Sequence, residues 1–330
     1  MNPTFLMSLV CFVFLVIVFL VVISMYVGHK LLHPRRKPIN VHPEDYGLPA
    51  YDCITFPSRD QLQMKGWYFS AAKHREALLN QIDKGTAEAK QENNSVQPLR
   101  NATIIVAHGY SQNRLEQHLP ALTLAKSFVE AGYDTLLFDF RNAGESEGNL
   151  TTIGLEEQKD LLGAIDFATN YAPDHSIGLI GFSMGAATAL LVAGEDERVN
   201  AVVADCPFAL LSDYLSNNLP VWTRLPSFPF TSIILTVIPI LVGASPKQVK
   251  PIEAVKRYGS RPLLLIHGRE DKTIPYKESE KLYEAAMHPE AELWLVPEAD
   301  HVRCYTRDRA LYSRRVIQFF DRFVGKSPNK

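Results

Sequence analysis

The sequence Gly181-Phe182-Ser183-Met184-Gly185 places a serine between two glycines in a G-x-S-x-G pattern. An apolar run, Ser176–Ile180, precedes it, and small residues with a helical pattern follow at 186–189. In this strand–turn–helix context the turn is so sharp that the flanking positions must lack side chains. The serine is then lifted to a helix N-terminus, whose positive potential favours developing negative charge. We therefore predict that Ser183 is a nucleophile; the alternative is a glycine-rich turn with an incidental serine.

A serine hydroxyl needs a base to remove its proton, and in this context the acid and then the histidine follow in chain order. The acid is expected in a loop at the carboxyl end of a later strand. Asp271 follows the apolar run Pro262–His267 in such a loop and is the predicted acid. Its neighbour Glu270 and the earlier Asp205 remain alternatives, and Asp271 could also be an ordinary loop or N-cap aspartate.

His301 is the predicted base, because it follows the apolar run Leu293–Val296 and precedes the last helical pattern. From that position its side chain can reach over the sheet edge to the nucleophile. The chain has ten histidines, and most of the others lie in the N-terminal segment or in polar helices and loops. His108 and His267 each precede a glycine at a strand end, and we expect both to shape turns.

Two backbone amides are the predicted oxyanion hole, in which N–H groups must point at the oxygen that becomes negative. Met184, immediately after the nucleophile, supplies the first amide. The second is expected from the loop after the apolar run Thr103–Ala107, where Tyr110 is the candidate. Gly109 lets the backbone approach closely there, although it could also belong to an ordinary strand-exit turn.

From residue 103 onward, short apolar runs alternate with longer helical patterns. Runs that are apolar on both faces suit a parallel sheet buried between helices, and the alternation predicts a doubly wound α/β domain. Ligands of such a domain bind at the carboxyl ends of the strands. A hairpin of Asp52–Pro57 and Gln61–Phe69 is predicted to open it. The other predicted strands are Thr103–Ala107, Thr135–Asp139, Ser176–Ile180, Val199–Ala204, Pro262–His267 and Leu293–Val296, and the predicted helices are Leu115–Ala131, Leu155–Tyr171, Met184–Ala193, Lys277–Met287 and Arg307–Phe323.

One stretch breaks this alternation, and a polar stretch precedes it. Residues 206–260 hold seven prolines and the apolar Phe228–Val242, and we predict a cap over the site. The apolar part is expected to be a buried cap helix; as an alternative membrane contact it is too short to span and could only lie on the surface. Residues 71–101 are polar and predict a surface insertion or a loose helix.

The N-terminus carries no charged residue from Phe5 to Val27, a length of about 34 Å as a helix. The hydrocarbon core of a bilayer is about 30 Å thick, so this segment can span it. A cleaved signal peptide is the alternative, but residues 1–4 contain no lysine or arginine and no small-residue cleavage pattern precedes Gly28. We predict a transmembrane anchor at 1–28, a tether at 29–50 and a catalytic domain at 51–330.

The predicted location is the cell membrane, with one span and a cytoplasmic catalytic domain. Lys30 and the basic residues 35–37 follow the apolar segment and nothing basic precedes it, as the positive-inside tendency requires. The odd number of cysteines outside the span suits a reducing compartment. The N-x-S/T triplets at Asn93, Asn101 and Asn149 favour the opposite side only weakly, because such triplets often arise by chance.

Composition excludes several classes of protein. The 34 basic and 36 acidic residues leave a net charge of −2, so bulk charge gives no reason to expect a nucleic-acid partner. Four cysteines among 330 residues exclude a disulfide-stapled scaffold. The hydrophobic share of 46% is that of a globular protein rather than a disordered one.

Residues 52–324 resemble an α/β-hydrolase-fold serine hydrolase. The motifs that carry the resemblance are His108-Gly109, the D-x-R-x-x-G-x-S-x-G loop at Asp139–Gly148, Gly181–Gly185, and the G-x-x-D-x-x-x-P of Gly268–Pro275. Residues 204–208, Ala-Asp-Cys-Pro-Phe, and the apolar N-terminus narrow it to bacterial membrane-anchored hydrolases of the serine-aminopeptidase-like group. The resemblance implies a Ser183–Asp271–His301 triad with no metal and no cofactor. The sequence departs from the pattern beside His301, where a glycine is common but Asp300 and Val302 stand.

The expected reaction is acyl transfer in two steps, on a carboxylic ester or an acyl thioester. His301 takes the proton of Ser183 as the serine attacks, and Asp271 orients the imidazole and stabilises its charged form. A serine nucleophile argues against haloalkane or epoxide chemistry, in which an aspartate attacks. The expected partners are a small-molecule or lipid-like acyl substrate and the membrane. The alternatives are a serine peptidase of the aminopeptidase kind and a catalytically silent binding scaffold.

Overall fold

The computed structural model describes residues 3–82, 97–243, 245–286 and 288–325, and its core is one eight-stranded sheet. The strand order is β1-β2-β4-β3-β5-β6-β7-β8; β2 is antiparallel to both of its neighbours, and all other neighbours are parallel. This is the mostly parallel α/β architecture predicted from the apolar runs. The strands are β1 (Asp52–Pro57), β2 (Gln63–Phe69), β3 (Ala102–Ala107), β4 (Asp134–Phe138), β5 (Ser176–Phe182), β6 (Val199–Asp205), β7 (Leu263–Gly268) and β8 (Ala291–Val296).

Helices cover both faces of the sheet, as the alternating pattern predicts. Two apolar cores result: α4, α5, α8 and α9 pack on one face, and α3 and α11 pack on the other. The helices are α1 (Pro3–Leu32), α2 (Ala71–Ile82), α3 (Ala121–Glu130), α4 (Glu157–Tyr171), α5 (Met184–Ala193), α6 (Leu211–Thr223), α7 (Ser232–Val242), α8 (Pro251–Arg257), α9 (Lys277–Ala286), α10 (Cys304–Arg307) and α11 (Arg309–Phe323).

One helix boundary differs clearly from the prediction. The helix expected from Leu115 begins only at Ala121, because residues 108–120 form hydrogen-bonded turns. The Leu115 amide donates to the side chain of Asn113, and Glu116 adopts a left-handed φ of +38°. A short polar side chain that bonds its own backbone competes in this way with helix formation. The consequence is functional, since this loop carries residues of the site.

The polar stretch at 71–101 is only partly described. Its first twelve residues form α2, which packs against α3. Residues 83–96, with the triplet at Asn93, lie outside the described residues.

The cap predicted at 206–260 divides into two parts. Helices α6 and α7 form the cap itself and are joined by a π-helical turn at Ser227–Thr231. Helix α8 instead packs on α5 and α9 in the body of the domain. The apolar stretch expected as a buried cap helix is buried on one side only. Ile234 is buried, whereas Phe228 and Ile240 are exposed.

Helix α1 extends beyond the predicted span to Leu32 and packs against α7. Of the described part of the chain, it is the one helix with the length and composition to cross a membrane, properties that a signal sequence shares. The segment after it is docked on the domain. The Arg36 guanidinium donates to the carbonyls of Ser146 and Gly148, and Lys37 Nζ lies 2.7 Å from Gln112 Oε1.

Candidate active site

Ser183 lies at the junction of β5 and α5, with φ +53° and ψ −115°. Non-glycine residues rarely adopt such a backbone conformation, and it recurs at strained functional turns. The two flanking glycines make the turn possible. A Cβ on Gly181 would lie 2.3 Å from the Gly185 carbonyl oxygen, and one on Gly185 would lie 2.1 Å from that of Ala107. Packing therefore requires glycine at both positions and raises the serine above the sheet.

The structure brings together the three side chains predicted as a triad. His301 Nε2 lies 2.9 Å from Ser183 Oγ, and His301 Nδ1 lies 2.7 Å from Asp271 Oδ2. The three residues follow the carboxyl ends of β5, β7 and β8, which meet at one edge of the parallel sheet. With Nδ1–H donating to the carboxylate, Nε2 is free to accept the serine proton, which is the geometry that a general base needs.

Asp271 is held from several directions. Its Oδ1 accepts the amides of Thr273 and Ile274, both at 2.8 Å, and His267 Nε2 lies 3.2 Å from its Oδ2. Burial raises the pKa of the Asp271 carboxyl, but hydrogen bonds from His267 and His301 outweigh burial and hold that pKa well below its usual range. The carboxylate therefore stays ionised and can stabilise an imidazolium.

Neither alternative acid contacts His301. Glu270 is exposed to solvent. Asp205 is fully buried, and its Oδ2 accepts the hydroxyl of Tyr312 at 2.8 Å. Burial also raises the pKa of Asp205, which favours its neutral form. Of the three candidates, only Asp271 is bonded to the imidazole.

The departure from the family pattern beside His301 has a structural counterpart. Val302 is buried at φ +53°, the left-handed conformation that a glycine adopts without cost. Asp300 Oδ1 accepts the amides of His301 at 2.8 Å and Lys272 at 3.1 Å. This carboxylate ties the loop after β8 to the loop after β7, so the local polar bonds keep the histidine loop in place despite the valine.

The loop that carries Tyr110 and the start of α5 both lie beside the nucleophile. A Cβ on Gly109 would lie 3.6 Å from the Cβ of Ser183, and the amide of Met184 is the first of α5, where no helical carbonyl precedes it. The Gly109 amide donates to Glu116 Oε2 at 2.7 Å. No acceptor in the described part of the chain takes the Tyr110 amide. The Glu116 carboxylate thus pairs with the Gly109 amide and with neither of the predicted oxyanion amides.

Glu116 is a site residue that the sequence did not reveal. Its carboxyl is buried in the wall of a cavity that opens over Ser183. Its Oε1 has no hydrogen-bond partner among the described residues. Burial raises the pKa of Glu116 to about 7, although the Gly109 amide opposes the shift. The residue was hidden inside the helix predicted from Leu115, and no motif marks it.

The D-x-R-x-x-G-x-S-x-G loop supports the site without entering it. The Asp139 carboxylate accepts the backbone amide and the guanidinium of Arg114, at 2.7 and 2.6 Å. Arg141 pairs with the buried Asp160 at 2.7 Å, and the Ser146 hydroxyl donates to the Asp139 carbonyl. These contacts hold the loop after β3 and the loop after β4 in place behind the nucleophile. His108 has a similar role, since its Nε2 accepts the amide of Phe140.

One group of potential metal ligands includes two triad residues. Ligand atoms of Cys206, Asp271 and His301 lie within 4.8 Å of one another. Asp271 and His301 already bond each other, however, and burial raises the pKa of the Cys206 thiol well above its usual value. The carboxylate and the imidazole therefore serve as each other's hydrogen-bond partners in this structure.

A cavity of about 400 Å³ opens over Ser183 and is walled mainly by apolar side chains. An aromatic series forms part of one wall. Phe208 stacks on Tyr214 with ring centroids 5.3 Å apart, and Tyr214 meets the edge of Trp222 at the same distance. The apolar side chains that line the cavity include Leu31, Ile153, Met184, Phe208, Trp222 and Val302. Such walls accept a hydrocarbon group next to the nucleophile.

Comparison with known proteins identifies the same fold. Residues 102–232 match the model of the alpha/beta hydrolase fold. The YqkD protein of Bacillus subtilis strain 168 is 33% identical over 222 residues, which cover 66% of this chain and 71% of that protein. The YfhR protein of Escherichia coli K12 is 27% identical over 84% of each chain.

Solved structures show the same fold. The esterase Pf2001 of Pyrococcus furiosus superposes with a TM-score of 0.68 and 25% identity, over 88% of this chain and all of that one. An acylaminoacyl peptidase of Pyrococcus horikoshii has a TM-score of 0.59, but at 17% identity it shows the fold alone. On the strength of the matched family model, the relative from B. subtilis and the architecture, the chain belongs to the α/β-hydrolase family and is a hydrolase.

Proposed function

We propose that this hydrolase is a membrane-anchored serine enzyme that cleaves carboxylic esters or acyl thioesters. The observation that carries the proposal is the continuous hydrogen-bonded series from Ser183 Oγ through His301 to Asp271, beneath an apolar cavity. The esterase similarity supports ester substrates. The apolar walls favour an acyl group over a charged one.

In the proposed reaction, His301 removes the Ser183 proton as the hydroxyl attacks the carbonyl carbon. The amides of Tyr110 and Met184 stabilise the oxyanion, and His301 then protonates the leaving alcohol or thiol. Water, activated by the same imidazole, attacks the acyl-enzyme and releases the acid. Asp271 stays ionised and balances the charge on the imidazolium throughout.

The direct test is Ser183→Ala. Loss of the nucleophile is expected to lower kcat on p-nitrophenyl acyl esters by roughly 10³- to 10⁶-fold without unfolding the protein. Ser216→Ala is the matched control, since Ser216 is exposed on α6 and its hydroxyl donates only to the Ser212 carbonyl. A fluorophosphonate should label the wild type and Ser216→Ala but not Ser183→Ala. Undiminished hydrolysis by Ser183→Ala would contradict the proposal, and an unlabelled wild type would favour a silent scaffold.

A peptidase that binds a free amino terminus is a second candidate. Glu116 favours it, because its buried Oε1 lies in the cavity wall with no hydrogen-bond partner among the described residues, 3.6 Å from His118 Nδ1, and could receive an ammonium group. Aminoacyl p-nitroanilides and uncharged acyl esters, compared on wild type and Glu116→Gln, distinguish the two. A peptidase loses anilide hydrolysis selectively in the variant, whereas an esterase shows no such selectivity.

We also propose that α1 is an uncleaved anchor at 1–28, that 29–50 link it to the catalytic domain at 51–330, and that this domain is cytoplasmic. The support is the charge-free stretch and the basic residues that follow it. Protease added outside intact cells is expected to spare the catalytic domain. Its digestion from outside would place the domain on the opposite side, and release of the protein by an alkaline wash would contradict anchoring.

A further inference from the structure

The apolar helix α1 is joined to the cap over more than its last turn. Ser24, Gly28 and Leu32, spaced four residues apart on one face, are buried, while residues 3–19 are exposed. Helix α1 contacts both α7 and the turn Ser227–Thr231. Ser24 belongs to the charge-free stretch, so the cap lies beside a part of α1 that an anchored protein would place within the bilayer.

The cap segment itself has the chemistry of a membrane contact. No charged residue occurs between Arg224 and Lys247. Phe228 is 82% exposed and Ile240 is 77% exposed, although both are large and apolar. Large apolar side chains exposed on a segment without any charge are typical of an interaction surface. Because the surface is continuous with α1, the occupant that suits both is a hydrocarbon phase.

The same junction forms part of the active-site cavity. Leu31 of α1 and Trp222 of α6 both line it, and the Tyr110 hydroxyl donates to the Leu31 carbonyl at 2.6 Å. The aromatic series from the buried Phe208 to the partly exposed Trp222 leads outward along the cap. An apolar path therefore connects the nucleophile with the place where α1 meets the cap.

We infer that the cap segment 225–243 inserts into the lipid bilayer beside α1, and that acyl lipids of the leaflet next to the catalytic domain enter the cavity between Leu31 and Trp222. The inference rests on the proposed ester hydrolysis and anchoring, and it adds the route and the physical state of the substrate. Lipid would then reach Ser183 without its acyl chain crossing water.

Insertion is tested without any catalytic readout. Full-length protein carrying Phe228→Trp is reconstituted in vesicles of phosphatidylcholine and phosphatidylglycerol, with or without brominated acyl chains. The added tryptophan is expected to be quenched by the brominated lipid, after subtraction of the wild-type signal. Tyr283→Trp is the matched control, because Tyr283 is an exposed aromatic residue on α9 and should give no added quenching. Equal quenching at both positions would overturn the inference.

The entry route is tested by Phe228→Glu and Ile240→Glu. Each charge opposes insertion, so hydrolysis of a long-chain ester embedded in the vesicles is expected to fall about tenfold. Hydrolysis of a short water-soluble ester should change less than about twofold, since neither exposed side chain lies in the cavity wall. Tyr283→Glu should alter neither rate.

The outcomes separate this inference from the proposed function. Unchanged hydrolysis of the embedded ester in both glutamate variants, or an equal loss on both substrates, would overturn the entry route. A wild type that leaves the soluble ester intact would contradict the ester hydrolase, and one that does not float with vesicles would contradict anchoring. A cap that proves to pair with a second copy in detergent, while Phe228→Trp stays unquenched in vesicles, would assign the surface to a protein partner.

Discussion

The loops that carry the triad and the cap above them are built in different ways. Asp271 Oδ1 accepts two backbone amides, its Oδ2 bonds the imidazole of His301 with His267 3.2 Å away, and Asp300 links two loops through backbone amides. The cap instead rests on apolar and aromatic contacts, such as the stack of Phe208 on Tyr214. Hydrogen bonds are directional, whereas apolar burial is not. Changes to Asp271 or His301 should therefore cost more than changes in the cap, where other apolar side chains can restore similar contacts.

The largest effect is expected from changing Asp271, the carboxylate that accepts the hydrogen bond of His301. Asp271→Asn keeps the shape of the side chain but removes the charge that orients the imidazole and stabilises its charged form. We expect kcat on a soluble ester to fall about 10⁴-fold, while the protein remains folded although its Tm is lowered by the loss of the buried charge. Steady-state kinetics together with a thermal melt measure the two quantities.

Two matched variants sharpen that result. Glu270→Gln changes the exposed neighbour of Asp271, and Asp205→Asn changes the buried carboxyl that accepts the Tyr312 hydroxyl. Neither acid contacts the imidazole, so both variants should keep kcat within about tenfold of wild type. A loss in Asp205→Asn as large as that in Asp271→Asn would move the triad acid to Asp205.

The second effect concerns Glu116, which lies in the wall of the cavity over Ser183. Its folded pKa of about 7 lies above the ordinary value of 4.5, so between these pH values the folded chain retains a proton that the unfolded chain has lost. The free energy of unfolding should therefore fall as pH rises through this window, by about 3 kcal/mol in total. Below pH 4.5 this stabilisation is complete, and above pH 7 it is lost.

Glu116→Gln isolates the effect of that carboxyl. Its amide oxygen can still accept the Gly109 amide, but it does not ionise between pH 4 and 8. Urea unfolding at several pH values, compared between wild type and variant, should show a difference that grows from pH 4.5 to pH 7 and then levels off. Parallel pH profiles for the two proteins would show that Glu116 titrates normally.

The smallest effect is expected in the cap. Trp222→Ala removes an aromatic surface from the cavity and should lower the ratio of kcat/KM for long-chain to short-chain esters by about tenfold. Trp222→Phe keeps a ring at this position and should recover most of the ratio. Equal losses for all acyl lengths would show that Trp222 supports the reacting groups rather than the acyl chain.

Much of the fold follows from local patterns. Apolar runs at the strands and the small residues of α5 follow the simple periodicities of buried strands and helices, and β1 and α5 have the predicted bounds. The helix predicted from Leu115 begins only at Ala121, because Asn113 and Glu116 make bonds that periodicity does not encode. Val302 shows the same limit, since its left-handed backbone depends on the loops around it.

The sequence by itself determined the candidate nucleophile, acid and base, because the turn around Ser183 requires glycine on both sides and strand ends are recognisable from local apolarity. It could not reveal that Glu116 lies in the cavity wall or that Leu31 of an N-terminal helix does so as well. Those positions depend on contacts between residues far apart in the chain, and only the tertiary structure, in which loops and helices pack against one another, decides such contacts.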